Sequence, residues 1–223
     1  MKIGIIGAGD VGRAVAKHAI KSGHQVMISN SRSINTLSTL AADLGCAPGT
    51  REDAIEFGDV VVIAIPYHAY PSLPARALAD KIVIDTGNYA PERDGRIEAL
   101  DQKQATTTGL LAAHLSSAGN IVRIAKAFNA IKMSDFERDG KPAHTPGRRA
   151  LPIAANDPLA RNTALQLTEE FGFDALDTGS LEESWRFERG TPAYCVPMTL
   201  PELKTILDKT DRDTLHPGGV KLP

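Results

Sequence analysis

The 223-residue sequence predicts an α/β protein with a doubly wound parallel sheet and a small αβ extension at its C-terminal end. Three observations predict this fold. Residues Lys2 to Ile6 form a short β-branched run that leads into a glycine turn, and residues Val60 to Ile65 are apolar at every position. Between and beyond them, short apolar runs alternate with helical patterns. Because a strand that is apolar on both faces is typical of a parallel sheet covered by helices, we expect a Rossmann-type sheet.

The first forty residues predict a complete strand–helix–strand unit. Val11 to Ser22 has apolar residues at helical spacing, Gly23 ends the helix, and Gln25 to Ser29 forms a second strand. Such crossovers are right-handed, so the two strands run parallel. The same reasoning predicts helices at residues 34–44, 51–57 and 73–78 and strands at residues 82–85 and 122–127.

The character of the sequence changes after residue 131. Residues 132–149 are charged and rich in glycine and proline without periodicity, which predicts a surface loop or flap. Regular structure is expected to resume with strands at residues 151–155 and 174–177 and helices at residues 158–171 and 199–209. We therefore divide the chain into a main domain (1–131), the flap (132–149) and a small αβ extension (150–223).

Composition and charge exclude several classes of function. The net charge of −2 and the pI near 6.3 provide no field that would attract nucleic acid or an anionic membrane. Cys46 and Cys195 are far apart and are expected to be reduced, and the histidines lack partners at metal-ligand spacing, so no metal is expected. The apolar N-terminal run is shorter than that of a signal peptide, so we expect a cytoplasmic protein.

The glycine turn after the first strand carries the strongest functional motif. Six consecutive residues match the pattern G-x-G-x-x-G between a strand and a helix, namely Gly7, Ala8, Gly9, Asp10, Val11 and Gly12. The three glycines allow a tight turn, close approach of a diphosphate, and close packing of helix on strand. Because the helix N-terminus has unpaired N–H groups and a partial positive charge, this turn predicts a dinucleotide site.

The end of the second strand indicates which dinucleotide binds. It reads Ser29-Asn30-Ser31-Arg32 and lacks the acidic residue that binds the ribose hydroxyls in NAD sites. Ser31 can donate a hydrogen bond to a 2′-phosphate, and Arg32 can offer it a charged, planar fork. The sequence therefore predicts NADP(H), although both side chains could instead serve only a solvated turn.

Residues that follow the next strands are candidates for the nicotinamide end of the site, because ligands bind at the carboxyl edge of such sheets. After the central strand, Ile65, Pro66 and Tyr67 could pack against the ribose or the nicotinamide, and His68 could contact substrate. Asn88 follows the next strand and could bind the nicotinamide ribose. An ordinary turn at the end of each strand is the alternative.

Further candidates lie at the last strand of the main domain and in the extension. Ala127 is small enough to admit the nicotinamide carboxamide, and Asn129 could donate to a substrate carbonyl, while Lys126 could be functional or structural. Arg186 belongs to the segment from Ser184 to Tyr194, whose aromatic and basic residues could line a pocket for a flat anionic acceptor or form a dimer contact.

Six segments resemble the NADPH-dependent reductases of the 5-deazaflavin coenzyme: MKIGIIGAGDVG, ISNSRS, GDVVVIAIPY, KIVIDTGN, IAKAFNAI and FGFDALDTGSL. Together they cover most of residues 1–182. The N-terminal domain type also resembles the cytoplasmic half of the six-transmembrane metalloreductases, which pass electrons from NADPH to flavin. The archaeal members carry a histidine where Asn129 stands here.

The resemblance implies direct hydride transfer between nicotinamide C4 and deazaflavin C5, in a cleft between the carboxyl edge of the sheet and the extension. It implies that residues 7–12, Ser31 and Arg32 bind NADP(H), that Ile65, Pro66 and Tyr67 form the wall beside the nicotinamide, and that the partner is a small-molecule electron acceptor, either a deazaflavin or a flavin. Hydride transfer depends on stacking and orientation more than on acid–base groups, so no proton donor is expected.

Two other functions fit the same sequence. One is reduction of a small carbonyl or imine, and the other is a non-catalytic NADP(H)-binding sensor. A homodimer is also expected, because the C-terminal third is rich in proline and aromatic residues.

Overall fold

The computed structural model describes residues 1–31, 34–117, 119 and 121–212. The strands in this part of the chain are β1 (Lys2–Ile6), β2 (Gln25–Ser29), β3 (Ala47–Gly49), β4 (Val60–Ile63), β5 (Ile82–Asp85), β6 (Arg123–Lys126), β7 (Ala150–Ala155) and β8 (Asp174–Asp177). The helices are α1 (Asp10–Lys21), α2 (Ser38–Leu44), α3 (Arg51–Phe57), α4 (Pro91–Asp94), α5 (Glu98–Asp101), α6 (Thr107–Ser116), α7 (Met133–Asp139), α8 (Pro158–Glu170) and α9 (Leu200–Lys209). Short 3-10 helices cover Ile34–Thr36, Tyr67–Ser72 and Leu181–Phe187.

The strands form one eight-stranded sheet in the order β3-β2-β1-β4-β5-β6-β7-β8. All neighbouring pairs from β3 to β6 are parallel, and the order of these six strands is that of a Rossmann fold. The predicted fold class is thereby confirmed. The extension continues the sheet, because β7 pairs antiparallel with β6 and β8 pairs parallel with β7.

Helices cover both faces of the sheet, which explains the uninterrupted apolar sequence of β4. Val60 and Val62 pack into the core beneath α1 and α8, whereas Val61 and Ile63 pack into a second core beside α3 and α6. All four side chains are at most 1% exposed. The carboxyl ends of β1, β2, β4, β5 and β6 therefore meet along one edge of a rigid, dry sheet.

The prediction of a surface loop throughout residues 132–149 is wrong for Met133–Asp139, which forms α7. Phe136 anchors this helix, since its fully buried ring lies 5.4 Å from the ring of Phe128 and 5.3 Å from that of Phe173. Arg148 and Arg149 are also buried. A single aromatic anchor in a charged seven-residue helix produces no periodicity, so the sequence pattern did not reveal it.

Other differences concern short elements. The helix predicted at residues 73–78 is replaced by the 3-10 helix Tyr67–Ser72 and the turns after it, a stretch in which Pro71 and Pro74 oppose α-helical hydrogen bonding. The helices α4, α5 and α6 and the edge strand β3 were not predicted. Within the described ranges, no helix has the length and apolar character needed to cross a membrane.

Candidate dinucleotide site

The glycine turn has the geometry that the motif predicts. Gly7 has a φ of +115°, and a Cβ there would lie 2.2 Å from the carbonyl oxygen of Ala64. A Cβ at Gly12 would lie 1.9 Å from the carbonyl oxygen of Gly7, so α1 packs tightly on the end of β1. Gly9 differs, because a Cβ there would meet no atom within 4 Å. The turn is therefore closed toward the protein and open on the side of Gly9.

The start of α1 offers N–H groups at this open side. Gly9 is the N-cap residue, and it has no side chain that could accept a hydrogen bond from the first N–H groups of α1. Asp10 is exposed and Val11 is half-buried, while Ala8 accepts a 2.9 Å hydrogen bond from Nε of Arg13 through its carbonyl. Backbone N–H groups at a helix N-terminus stabilise a diphosphate through their partial positive charge. The turn therefore leaves the first N–H groups of α1 beside open space at Gly9.

The end of β2 continues the same edge of the sheet. Gly7 N–H donates to the carbonyl of Ser29 at 2.9 Å, and the Ser29 hydroxyl donates to the carbonyl of Ile5 at 3.0 Å. Ser31 follows and is exposed. Arg32, the predicted ligand of the 2′-phosphate, lies outside the described residues.

After β4, Ile65 lies beside Gly7 of the glycine turn, and Tyr67 follows two residues later. Ile65 and Tyr67 are half-buried and Pro66 is exposed, and the Tyr67 ring lies 4.9 Å from the ring of Tyr70. Burial raises the pKa of Tyr67 to about 12, and the negative charges of Asp85, Glu188 and Asp94 add to the effect. The Tyr67 hydroxyl is therefore neutral at physiological pH and can offer only a hydrogen bond.

His68 is exposed, and its ring bonds to a buried carboxylate. Nδ1 of His68 lies 3.1 Å from Oδ1 of Asp94, which also accepts from the backbone N–H of His68. Burial alone would raise the pKa of Asp94, but hydrogen bonds from Arg93, from the Ala90 N–H and from His68 outweigh it and lower the pKa to about 2. Asp94 therefore fixes the loop that follows β5.

A buried carboxylate ends β5, where the sequence predicted only an apolar strand. Asp85 is fully buried and accepts hydrogen bonds from the Tyr70 hydroxyl, from Gly87 N–H at 2.9 Å and from the Thr108 hydroxyl at 2.5 Å. Burial raises the pKa of Tyr70 well above its ordinary value, so its hydroxyl remains a donor. These bonds hold the turn at Gly87.

A buried ammonium lies beside this carboxylate, since Lys126 is opposite Asp85 in the β5–β6 register. Its Nζ donates to the carbonyl of Gly87 at 2.8 Å and to the Thr107 hydroxyl at 2.6 Å, and it lies 3.3 Å from Oε1 of Glu188. The side chain is fully buried. Lys126 therefore ties β6, the turn after β5 and the extension together, which supports its structural interpretation.

Sequence reasoning missed the other members of this network. The sequence did contain an indication of the pair between Asp85 and Lys126. Asp85 ends the strand IVID, Lys126 ends the strand RIAK, and both strands were expected to end at the same edge of the sheet. Opposite charges at the same level of neighbouring buried strands predict an ion pair. Glu188 carried no comparable signal, since it lies in an irregular segment.

Asn88 and Asn129 contact each other where β5 and β6 end. Nδ2 of Asn129 donates to Oδ1 of Asn88 at 3.0 Å, and Nδ2 of Asn88 donates to the carbonyl of Asn129 at 2.9 Å. Phe128 has a φ of +61°, in the left-handed region that favours glycine. Ala127 is fully buried beneath this turn, so it contributes a small volume and no exposed surface.

Arg186 lies in a different environment. Its guanidinium donates to the carbonyls of Leu207 at 2.9 Å and Thr210 at 3.2 Å, to Glu183 at 2.5 Å, and it covers the ring of Trp185. These contacts cap the C-terminal end of α9. The structure does not bring Arg186 to the glycine turn, and a role in packing accounts for all of its contacts.

Two other concavities lie away from the carboxyl edge. One of about 510 Å³ lies between the C-terminal ends of α1 and α8 and the loop after α7, and one of about 430 Å³ lies between β8 and α9. Neither is lined by a residue of the glycine turn. In the ranges that the structure describes, no three His, Cys, Asp or Glu side chains are grouped as a metal site would require.

Comparison with known proteins finds a family match over the segment that contains the glycine turn. Residues 2–89 match the model of a family described as NADP oxidoreductase coenzyme F420-dependent. The resemblance to this family that the sequence predicts is confirmed over these residues. The matched segment includes the glycine turn, the end of β2, Tyr67 and Asn88. Over these residues the chain is therefore similar to NADP-dependent oxidoreductases of that family.

Relatives extend the similarity beyond this segment. Metalloreductase STEAP3 of Rattus norvegicus is 28% identical over 205 residues, which are 89% of this chain and 39% of STEAP3. The chain thus spans between 35% and 39% of the length of the curated metalloreductases that it matches.

Among solved structures, a hypothetical protein of Sinorhizobium meliloti aligns over 89% of this chain and 95% of its own, with 24% identity and a TM-score of 0.75. A candidate F420-dependent NADP reductase of Arthrobacter sp. FB24 aligns over 82% and 87%, with 22% identity and a TM-score of 0.66. At these identities the two structures show a shared fold, including the extension.

Proposed function

We propose that this chain is an NADP(H)-dependent oxidoreductase that transfers hydride between the nicotinamide and a flat conjugated acceptor, a 5-deazaflavin or a flavin. The observation that carries the proposal is the contrast among the three glycines of the turn. Side chains are excluded at Gly7 and Gly12 by the protein itself, whereas the space at Gly9 is open. A turn that needed glycine only for folding would not leave open space at Gly9.

In this proposal the dinucleotide would extend along the carboxyl edge of the sheet. The diphosphate would lie on residues 7–12, and the 2′-phosphate on the adenosine ribose would be bound by Ser31 and Arg32. At the other end, Ile65, Pro66 and Tyr67 would form the wall beside the nicotinamide, and Asn88 would bind its ribose. When bound, NADPH supplies a hydride from C4 of its nicotinamide ring.

The chain's own groups favour a reaction without acid–base catalysis. Lys126 is engaged by Gly87, Thr107 and Glu188, and Asp85 is engaged by three donors. The hydroxyl of Tyr67, with its pKa near 12, is a poor proton donor. What these groups can do is hold the carboxyl edge rigid, so that two flat rings stack in a fixed orientation.

The acceptor would lie in a cleft between this edge and the extension. Support comes from Glu188 and Phe187, which carry the extension to the ends of β5 and β6 through Lys126 and Asn129. His68 stands exposed at the same edge and would be available to the acceptor.

The test is anaerobic oxidation of NADPH with a 5-deazaflavin, FMN, FAD and a set of small carbonyl and imine compounds offered in parallel. We expect turnover with the deazaflavin or a flavin, and much less turnover when NADH replaces NADPH. Turnover confined to the carbonyl or imine compounds would contradict the proposal, and tight NADPH binding without any turnover would support a sensor.

We further propose a homodimer in a reducing compartment, the cytoplasm. Cys46 and Cys195 are both free thiols, in keeping with a reducing environment. Light scattering at micromolar concentration tests the dimer, and a monomer mass would contradict it.

A further inference from the structure

The amide orientations of Asn88 and Asn129 follow from their partners. Backbone carbonyls only accept hydrogen bonds, so Nδ2 of Asn88 must face the carbonyl of Asn129, and Nδ2 of Asn129 must face the carbonyl of Phe187 at 3.1 Å. Oδ1 of Asn88 then faces Nδ2 of Asn129. Turning either amide over would set oxygen against oxygen, so both orientations are determined by chemistry.

This arrangement uses both hydrogens of the Asn129 amide. The expectation that Asn129 donates to a substrate carbonyl therefore lacks a free N–H group. Oδ1 is the atom that remains, and it is buried without a hydrogen-bond partner among the described residues. An acceptor left unpaired in the interior is unfavourable, so its position calls for an explanation.

The backbone beside Asn129 provides a second observation. Phe128 is a bulky residue in a left-handed conformation, with φ of +61° and 1% exposure. Residues that are kept in such conformations concentrate at functional sites. The turn therefore places Asn129 between Asn88 and the extension at the cost of backbone strain. The strained Phe128 and the unpaired Oδ1 of Asn129 would each destabilise the fold.

We propose that Oδ1 of Asn129 accepts a hydrogen bond from a planar N–H group of a bound reactant. This inference rests on the proposed function and makes its ligand chemistry specific, since it selects an amide or imide over a ketone, ester or simple aldehyde. Asn129 thereby acts as a specificity-determining residue.

Two reactants of the proposed reaction carry such a group. The nicotinamide has a carboxamide, and the pyrimidine ring of a deazaflavin or flavin has an imide N–H at N3. Because Oδ1 is itself buried, the surrounding atoms must move for the donor to reach it, and the contact forms together with binding. The N–H chemistry is shared, and the experiment distinguishes its sources.

The experiment compares matched ligands in which a methyl group replaces either the NH2 group or the hydrogen of the N–H group. In the cofactor arm, the dissociation constant of NADP⁺ is compared with that of its 3-acetylpyridine analogue, which keeps the carbonyl and lacks the N–H. In the acceptor arm, 5-deazariboflavin is compared with its N3-methyl derivative, using protein saturated with NADP⁺. Each pair is measured on the wild-type chain and on Asn129→Leu, a variant with the same number and branching of side-chain heavy atoms.

We expect one of the two pairs to differ by about ten-fold in the wild-type chain, and that ratio to fall to within about three-fold of unity in Asn129→Leu. Structural damage from the substitution weakens both ligands of a pair together, so the ratio isolates the hydrogen bond. The arm in which the ratio falls toward unity shows whether the N–H group belongs to the cofactor or to the acceptor. Asn129→Ala serves in the same way where thermal unfolding shows the leucine variant to be misfolded.

Equal binding within both wild-type pairs overturns the inference, and this result needs no variant. A ratio that is unchanged in Asn129→Leu also overturns the inference, because another group must then accept the hydrogen bond from the N–H. Failure of the wild-type chain to bind NADP⁺ at all contradicts the proposed function itself, a result distinct from either of these.

Discussion

The hydroxyl of Tyr70 occupies the space that a side chain at Gly87 would need, because a Cβ there would lie 1.8 Å from the hydroxyl oxygen. Tyr70 is held in this position by its hydrogen bond to the buried carboxylate of Asp85. The glycine after β5 is therefore required by the buried polar network and not by its own backbone conformation.

We expect Gly87→Ala to lower the free energy of unfolding by about 2 kcal/mol, because the new methyl group expels the Tyr70 hydroxyl from Asp85. Tyr70→Phe removes the obstacle and also the hydrogen bond. The two changes should therefore cost less together than the sum of their separate costs, as measured by urea unfolding. Strictly additive costs would mean that the hydroxyl and the methyl group do not compete.

The glycines of the turn should separate stability from binding. Gly9 has φ of −76° and ψ of −171°, which alanine adopts readily, so Gly9→Ala at this N-cap position should lower stability by about 1 kcal/mol at most. Its methyl group enters the open space, so NADPH affinity should fall about ten-fold.

Gly12→Ala is the matched control, and it should destabilise the fold by about 1–3 kcal/mol because its Cβ meets the carbonyl of Gly7. Thermal unfolding and fluorescence titration with NADPH measure both effects. Unchanged NADPH binding by Gly9→Ala would show that the diphosphate lies elsewhere.

Arg32 should distinguish the two dinucleotides. Charge-assisted hydrogen bonds contribute about 1.5–3 kcal/mol, so Arg32→Ala should weaken NADPH binding by about ten-fold to over one-hundred-fold. NADH binding, which lacks the 2′-phosphate, should barely change and serves as the internal control. Equal losses for both dinucleotides would point to damage of the turn instead.

Asp94 should make stability depend on acid pH. Its pKa is about 2 in the folded chain, below the ordinary value of 3.8, so the ionised form is the stabilising one. This contribution, about 2 kcal/mol, is complete above pH 4 to 5 and is lost as the pH falls toward 2.

The measurement is urea unfolding of the wild-type chain and of Asp94→Asn between pH 5 and pH 2. The difference between the two chains should shrink by about 2 kcal/mol over this range, while effects of other carboxylates cancel. A difference that stays constant would show that Asp94 is not held by these hydrogen bonds.

Much of the fold and the dinucleotide half of the site follow from local sequence. The apolar run of β4 and the glycines at residues 7, 9 and 12 each encode their structure within a few residues. The direction of β7 was not predictable, because this strand is buried on both faces and its continuous apolar run is the pattern that a parallel strand would also show.

The nicotinamide end depends on contacts between distant parts of the chain, and local patterns do not report them. Glu188 reaches Thr107 across 81 positions, and Asn129 reaches Phe187 across 58. Asn129 was selected correctly as a residue of the edge, but the polarity of its free atom is set by two partners that the sequence does not bring together.

The contact between Lys126 and Glu188 also has a consequence for how the chain unfolds. Separating the extension from the sheet would leave a charged ammonium in the dry interior without one of its two carboxylates, in addition to breaking the β6–β7 pairing. The extension therefore should not open as an independent unit. Its slowest-exchanging amide protons should exchange only through global unfolding, at the same rate as those of β4.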